Sequence, residues 1–133
     1  MSGSFFDTNV LMYLATDDRL KADRVEQLLR VRGTISVQVL NEITNVSRRK
    51  FGFSWRDTFT TLATVKSYLD VIPLTLDIHE AGLCLAERHG FSIYDSFIVA
   101  AALAAGCDTL WSQDMQHGMV VDGRLQIANP FRA

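Results

Sequence analysis

Segments that read as short buried strands alternate with segments that read as amphipathic helices along the whole chain, and this alternation leaves few folds open. Residues 3–6, 34–37, 71–76 and 109–111 are the apolar or β-branched runs, the third limited by Pro73. Helical patterns fill the intervals between them. Strands and helices that alternate in this way build a parallel sheet covered by helices, so the expected fold is a three-layer α/β/α sandwich with a mainly parallel central sheet.

The helical patterns carry their own start and stop signals. Residues 9–14 suit a first helical turn, and Asp17 or Asp18 can cap a second helix running to about Val31, with Leu20, Val25, Leu28 and Leu29 inward and Gly33 ending it. A third carries Val39, Leu40, Ile43 and Val46 at helical spacing and includes Glu42. After a break at 51–55, Phe59, Leu62, Val65, Lys66 and Leu69 mark a fourth. Asp77 and Glu80 have the spacing of a capping box for a fifth, stopped by Gly90. Ser92 opens the sixth, IYDSFIVAAALAA, closed by Gly106, and its alanines allow close packing on a sheet. Residues 120–127, broken at Asp122 and Gly123, read as a terminal hairpin.

In open α/β sheets ligands bind beyond the carboxyl ends of the strands. Four acids, Asp7 (FFDTN), Glu42 (VLNEI), Asp95 (IYDSF) and Asp114 (LWSQD), fall at or near that edge despite wide separation in sequence. Each has an ordinary reading: Asp7 as a helix cap, Glu42 as a helix-surface acid, Asp95 as part of a capping box, Asp114 as a turn residue. Gathered together they need a compensating charge, because two carboxylates about 4 Å apart repel by roughly 4 kcal/mol at an effective dielectric near 20. A hard divalent cation, Mg²⁺ or Mn²⁺, is the simplest compensator, and it points to hydrolysis at phosphorus.

With 133 residues the chain suits a single domain, 1–133. No apolar run approaches the ~20 residues that span a bilayer, and MSGSFFD carries an acid where a secretion signal would be basic and then apolar, so a cytosolic protein is expected. Cys84 and Cys107 lack metal-like spacing and read as buried free thiols. A net charge of −2 excludes a global basic field for coating nucleic acid but permits a local patch. Arg48, Arg49, Lys50 and Arg56 form such a cluster, for which a solvated helix face is the plain explanation. Phe51, Phe53, Trp55 and Phe59 beside it could stack bases, with core or subunit packing the weightier reading. A mean hydropathy of +0.11 with 48% apolar residues suggests surface covered by a partner. His79, His89 and His117 suit solvent, helix-end or surface-loop roles, and there is no glycine-rich phosphate loop, so no nucleotide cofactor is implied.

The segments FFDTNVLMY, SVQVLNEI, YDSFIVAAALAAGCDTLWSQD and MVVDGRLQIANPF, taken in order, resemble the PIN-domain nucleases, particularly VapC-like toxins of toxin–antitoxin pairs. The likeness spans nearly the whole chain. It implies a PIN-like fold and an endoribonuclease dependent on Mg²⁺ or Mn²⁺ and selective for single-stranded RNA. Such proteins are usually homodimers held silent by a small antitoxin. By motif, the resemblance makes Asp7, Glu42, Asp95 and Asp114 the acidic quartet, with Asp7 and Asp95 as direct metal ligands. Asn9 and Ser112 match supporting polar positions, and Thr8 matches without a defined role. Residues 48–69 carry no family signature. A haloacid-dehalogenase-like phosphatase would need a second Asp where this chain has Asn9. A non-catalytic PIN-like module that binds RNA or a partner, and a stand-alone PIN nuclease without antitoxin, are the remaining alternatives.

Overall fold

A computed structural model describes residues 3–132; residues 1, 2 and 133 of the expected 1–133 domain lie outside it. Strand β1 (Ser4–Phe6) leads into a short helix α1 (Thr8–Leu11), continued as a 3-10 turn over Met12–Ala15. Then follow α2 (Arg19–Leu29), β2 (Thr34–Ser36), α3 (Val37–Arg49), α4 (Trp55–Tyr68) and β3 (Asp70–Ile72). The second half comprises α5 (Leu76–His89), α6 (Ile93–Ala104), β4 (Thr109–Trp111) and the hairpin β5 (Val120–Val121) with β6 (Leu125–Ala128).

The strands form one six-stranded sheet in the order β3-β2-β1-β4-β6-β5, parallel throughout except for the β5–β6 hairpin at one edge. Helices complete the expected three-layer α/β/α sandwich. Phe5 and Phe6 of β1, Ile35 of β2, Leu110 of β4 and Ile127 of β6 are fully buried, as strands covered on both faces require. Helix α6 is buried continuously from Ser96 to Ala102, and its small side chains bring it close to the sheet and to α5. At the α5 contact a Cβ on Gly82 would stand 2.5 Å from Phe97 Cδ1, so any larger residue there would force the Phe97 ring or its helix to shift.

Chain direction reverses about β1. The path runs from β1 outward to β2 and β3, then returns to place β4 on the other side of β1. The carboxyl ends of β1 and β4 therefore flank a switch point, where an open α/β sheet leaves a crevice.

Several local expectations need correction. Leu20 is 85% exposed and not part of the inner face of α2, which buries Ala22, Val25 and Leu29. Helix α2 stops at Leu29, and Arg32, not Gly33, takes the left-handed conformation (φ 60°). Gly33 is needed for a different reason: a Cβ would lie 2.7 Å from the Phe6 ring and 2.9 Å from the Ser4 carbonyl oxygen. Helix α5 is capped by Thr75, whose hydroxyl accepts from the Ile78 amide at 3.1 Å, and Asp77 lies within its first turn. Cys107 is buried but Cys84 is exposed on α5. Phe59 and Lys66 face solvent on α4, where Thr58 and Val65 are the buried positions.

Candidate metal and phosphate cleft

Asp7 stands where β1 ends. Its amide donates to the Trp111 carbonyl at 2.9 Å, which continues the pairing with β4 for one more residue. The side chain then caps α1, Oδ1 accepting from the Thr8 amide at 2.7 Å. Oδ2 accepts from Ser112 Oγ at 2.8 Å and from Asn9 Nδ2 at 3.3 Å. Ser112 is itself fixed, since its Oγ also accepts from the Met115 amide at 3.3 Å. The residue after each of the two switch-point strands thus meets the other, and the carboxylate orientation is set by three neighbouring groups.

Glu42 arrives from the second turn of α3. Its Oε1 accepts from Thr8 Oγ1 at 2.7 Å and its Oε2 from Gln38 Nε2 at 2.9 Å. Thr8 therefore joins the two halves of the site, one amide on Asp7 and one hydroxyl on Glu42. Asp95 enters on the first turn of α6, which Ser92 caps by accepting from the Asp95 amide at 3.2 Å. Asp114 follows β4 on an exposed turn. That turn is tied to α1, because the Gln113 amide donates to Asn9 Oδ1 at 3.1 Å and Tyr13 Oη donates to Gln113 Oε1 at 2.8 Å.

All four acids line one cleft of about 860 Å³, with Thr8 and Asn9 beside them, while Ser112 is buried behind Asp7. Burial pushes the Asp7 carboxyl up to about 7, against the opposing hydrogen bonds from Ser112 and Thr8, and the charges of Asp95 and Glu42 add to the rise. Burial also raises Asp95, with Ser92 opposing and Asp114 contributing. Neither of the two ion pairs among the described residues, Arg32–Asp70 and Arg88–Asp122, involves any of these acids. Among the described residues no cation forms an ion pair with them.

Several lining residues were not singled out from sequence. Gln38 has a readable signal, four residues before Glu42 on the same helix face. Tyr13, Gln113 and Tyr94 have none, since they matter through contacts across the chain or through exposure. His117 lies away from the cleft and accepts from the Asn129 amide at 2.9 Å through Nδ1.

A PIN-domain family model matches residues 4–118, and the chain belongs to that family. No curated protein matches the sequence. Solved structures share its fold. A toxin–antitoxin complex from Klebsiella pneumoniae aligns with TM-score 0.72 at 20% identity, covering 98% of this chain and 99% of that one. The VapC20 toxin of Mycobacterium tuberculosis, described as cleaving the sarcin–ricin loop, gives 0.69 at 20%, covering 84% and 89%. VapBC2 of Rickettsia felis, bound to a DNA fragment from its promoter, gives 0.68 at 21%, covering 95% and 97%.

Proposed function

We propose that this PIN domain, a single unit over residues 1–133, is a divalent-metal-dependent endoribonuclease acting on single-stranded regions of RNA, and the toxin of a toxin–antitoxin pair. The observation that carries the reading is the gathering of Asp7, Glu42, Asp95 and Asp114 around one open cleft with no protein cation paired to any of them. PIN nucleases generally use divalent metal ions. The acidic donors here are all hard oxygens, so they fit Mg²⁺ or Mn²⁺ better than a soft metal. No three such side chains among the described residues stand close enough to form a closed ion cage. An ion held by one or two carboxylates, with water and substrate oxygens completing its shell, suits that spacing.

Asp7 and Asp95 would hold the ion, with Glu42 and Asp114 completing the acidic set. Bound there, a divalent ion would lower the pKa of a water and offset charge building on the phosphate oxygens. The protein supplies orientation. Ser112, Asn9 and the Thr8 amide fix both oxygens of Asp7, so its carboxyl group is held in one orientation before anything binds. Thr8 and Gln38 do the same for Glu42, leaving each of its oxygens a free lone pair to orient the attacking water. Attack in line at phosphorus breaks the bond to the 3′ oxygen, giving a 5′-phosphate and a 3′-hydroxyl.

The toxin assignment is supported by the toxin–antitoxin assemblies among the proteins of like fold. Exposed Leu20, Val31 and Leu76 provide apolar surface for a homodimer contact and a cognate antitoxin. No helix among the described residues is long and apolar enough to cross a membrane, in keeping with a cytosolic site of action. The test is cleavage of RNA by the native chain and by Asp95→Asn, with Mg²⁺ or Mn²⁺ and with chelator. The native chain should cut only with metal, and Asp95→Asn should lose at least about a hundredfold in rate. Cutting by the native chain in chelator, or near-native rates in the variant, would overturn the assignment.

A further inference from the structure

A polyanion must enter a cleft that already carries four carboxylates. Among the described residues lining it, Lys50 is the sole Lys or Arg. It caps the C-terminal end of α3, its amide bonded to the Val46 carbonyl at 2.9 Å, so its backbone is fixed by the same helix that carries Glu42. Its ammonium has no hydrogen-bond or ion-pair partner among the described residues. Arg48, two residues earlier, is committed elsewhere: its guanidinium lies 4.3 Å from the centre of the Trp55 ring and donates to the Phe53 carbonyl at 2.6 Å. Of the run Arg48–Arg49–Lys50, Arg48 is locked against an aromatic ring, Arg49 lies outside the cleft lining, and Lys50 enters the cleft.

The aromatic residues divide in the same way. Phe51, immediately after Lys50, and Tyr94, immediately before Asp95, both line the cleft, and Tyr94 is 63% exposed. Its ring meets Phe97 edge-on at 6.3 Å, which leaves a face open. An exposed ring next to a catalytic carboxylate is the arrangement that stacks an unpaired base.

Resting on the nuclease reading above, we propose that Lys50 is the substrate-phosphate anchor of this cleft and that Tyr94 is the stacking platform for an unpaired base beside the scissile bond. The substrate class is then single-stranded RNA gripped through at least one phosphate away from the metal, independently of base identity. Lys50 supplies the attraction that the acids deny. It acts on binding and not on the chemical step, because lysine offers a point charge to a phosphate and none of the four acids depends on it for a hydrogen bond.

The test uses the full chain and a fluorescein-labelled single-stranded RNA of about eight nucleotides. Cleavage is followed in the native background and binding in the Asp95→Asn background, each over a range of salt. Lys50→Ala is expected to raise KM about fivefold with kcat nearly unchanged. The slope of log affinity against log salt should fall by about 0.7, the value of one phosphate contact on a single strand. Lys50→Arg should restore both, Arg49→Ala should change neither, and Tyr94→Ala should weaken binding without altering the slope. An unchanged slope in Lys50→Ala, an equal loss in Arg49→Ala, or an effect confined to a co-expressed protein partner would overturn the inference while native cleavage stands. Lys50-dependent binding by a native chain that cuts nothing would keep the anchor and remove the nuclease reading; absence of both binding and cutting would remove both.

Discussion

Asp7 carries a conflict that defines the site. It is 4% exposed, its carboxyl tied by three neighbouring groups and pushed up to about 7, chiefly by burial, so in metal-free protein it holds a proton that the unfolded chain gives up near 3.8. Between those values the native state binds more protons than the unfolded state. The resulting stability is complete below about pH 4 and is lost as pH rises through 7, by something on the order of 2–4 kcal/mol. Asp7→Asn removes the titration while keeping side-chain atoms to cap α1. In chelator its melting temperature should change less between pH 5 and pH 8 than that of the native chain and should exceed it at pH 8. A native chain no less stable at pH 8 than the variant would contradict the raised Asp7 carboxyl. Asp7, Asp95 and Asp114 were legible in sequence because each follows or opens an apolar element, and Glu42 because it borders the apolar face of its helix. The bond from Thr8 to Glu42 was not, since it joins positions 34 residues apart and no local pattern encodes such a pair.

Helix α6 shows how an element presents a reactive group. Ser92 caps it, Asp95 lies on its first turn, and the buried run behind fixes its position against α5 and the sheet. Gly82 of α5 permits that packing, and Phe97 has little room to withdraw, being 8% exposed and stacked 5.2 Å from His79. Gly82→Ala should destabilise the fold by about 2 kcal/mol, measured by denaturant unfolding. It should also lower cleavage more than the loss of folded protein explains, because α6 must shift and Asp95 is two residues from Phe97. A fully stable, fully active variant would show that the contact is slack. Ser92 was readable as the start of α6 because a serine precedes the helix by the capping interval. For α5 the same logic took Asp77 as the start, whereas Thr75, two residues earlier, has the extended backbone of the cap, and spacing alone does not reveal which residue is extended. Leu20 misled in a related way: it fits the helical period but occupies the first turn of α2, beyond the reach of the core.

At the scale of the molecule, the parallel sheet turns separate sequence motifs into neighbours. The order β3-β2-β1-β4-β6-β5 places the ends of β1 and β4 side by side, and α3, which follows β2, and α6, which precedes β4, bring in the other acids. Alternation in the sequence was enough to foresee this layering, whereas the division of surface between partner, substrate and solvent was not. Trp55 and Phe59 were weighed as core or subunit packing, and at 55% and 64% exposed they are not core, because hydrophobicity reveals a wish for burial but not what provides it. The most direct measurement is cleavage of a mixed structured RNA with and without Mg²⁺ or Mn²⁺, comparing the native chain with Asp7→Asn. The expected result is metal-dependent cutting by the native chain, leaving 5′-phosphate ends, and none by the variant. Equal cutting by both, or cutting indifferent to metal, would contradict a reaction centred on these four carboxylates.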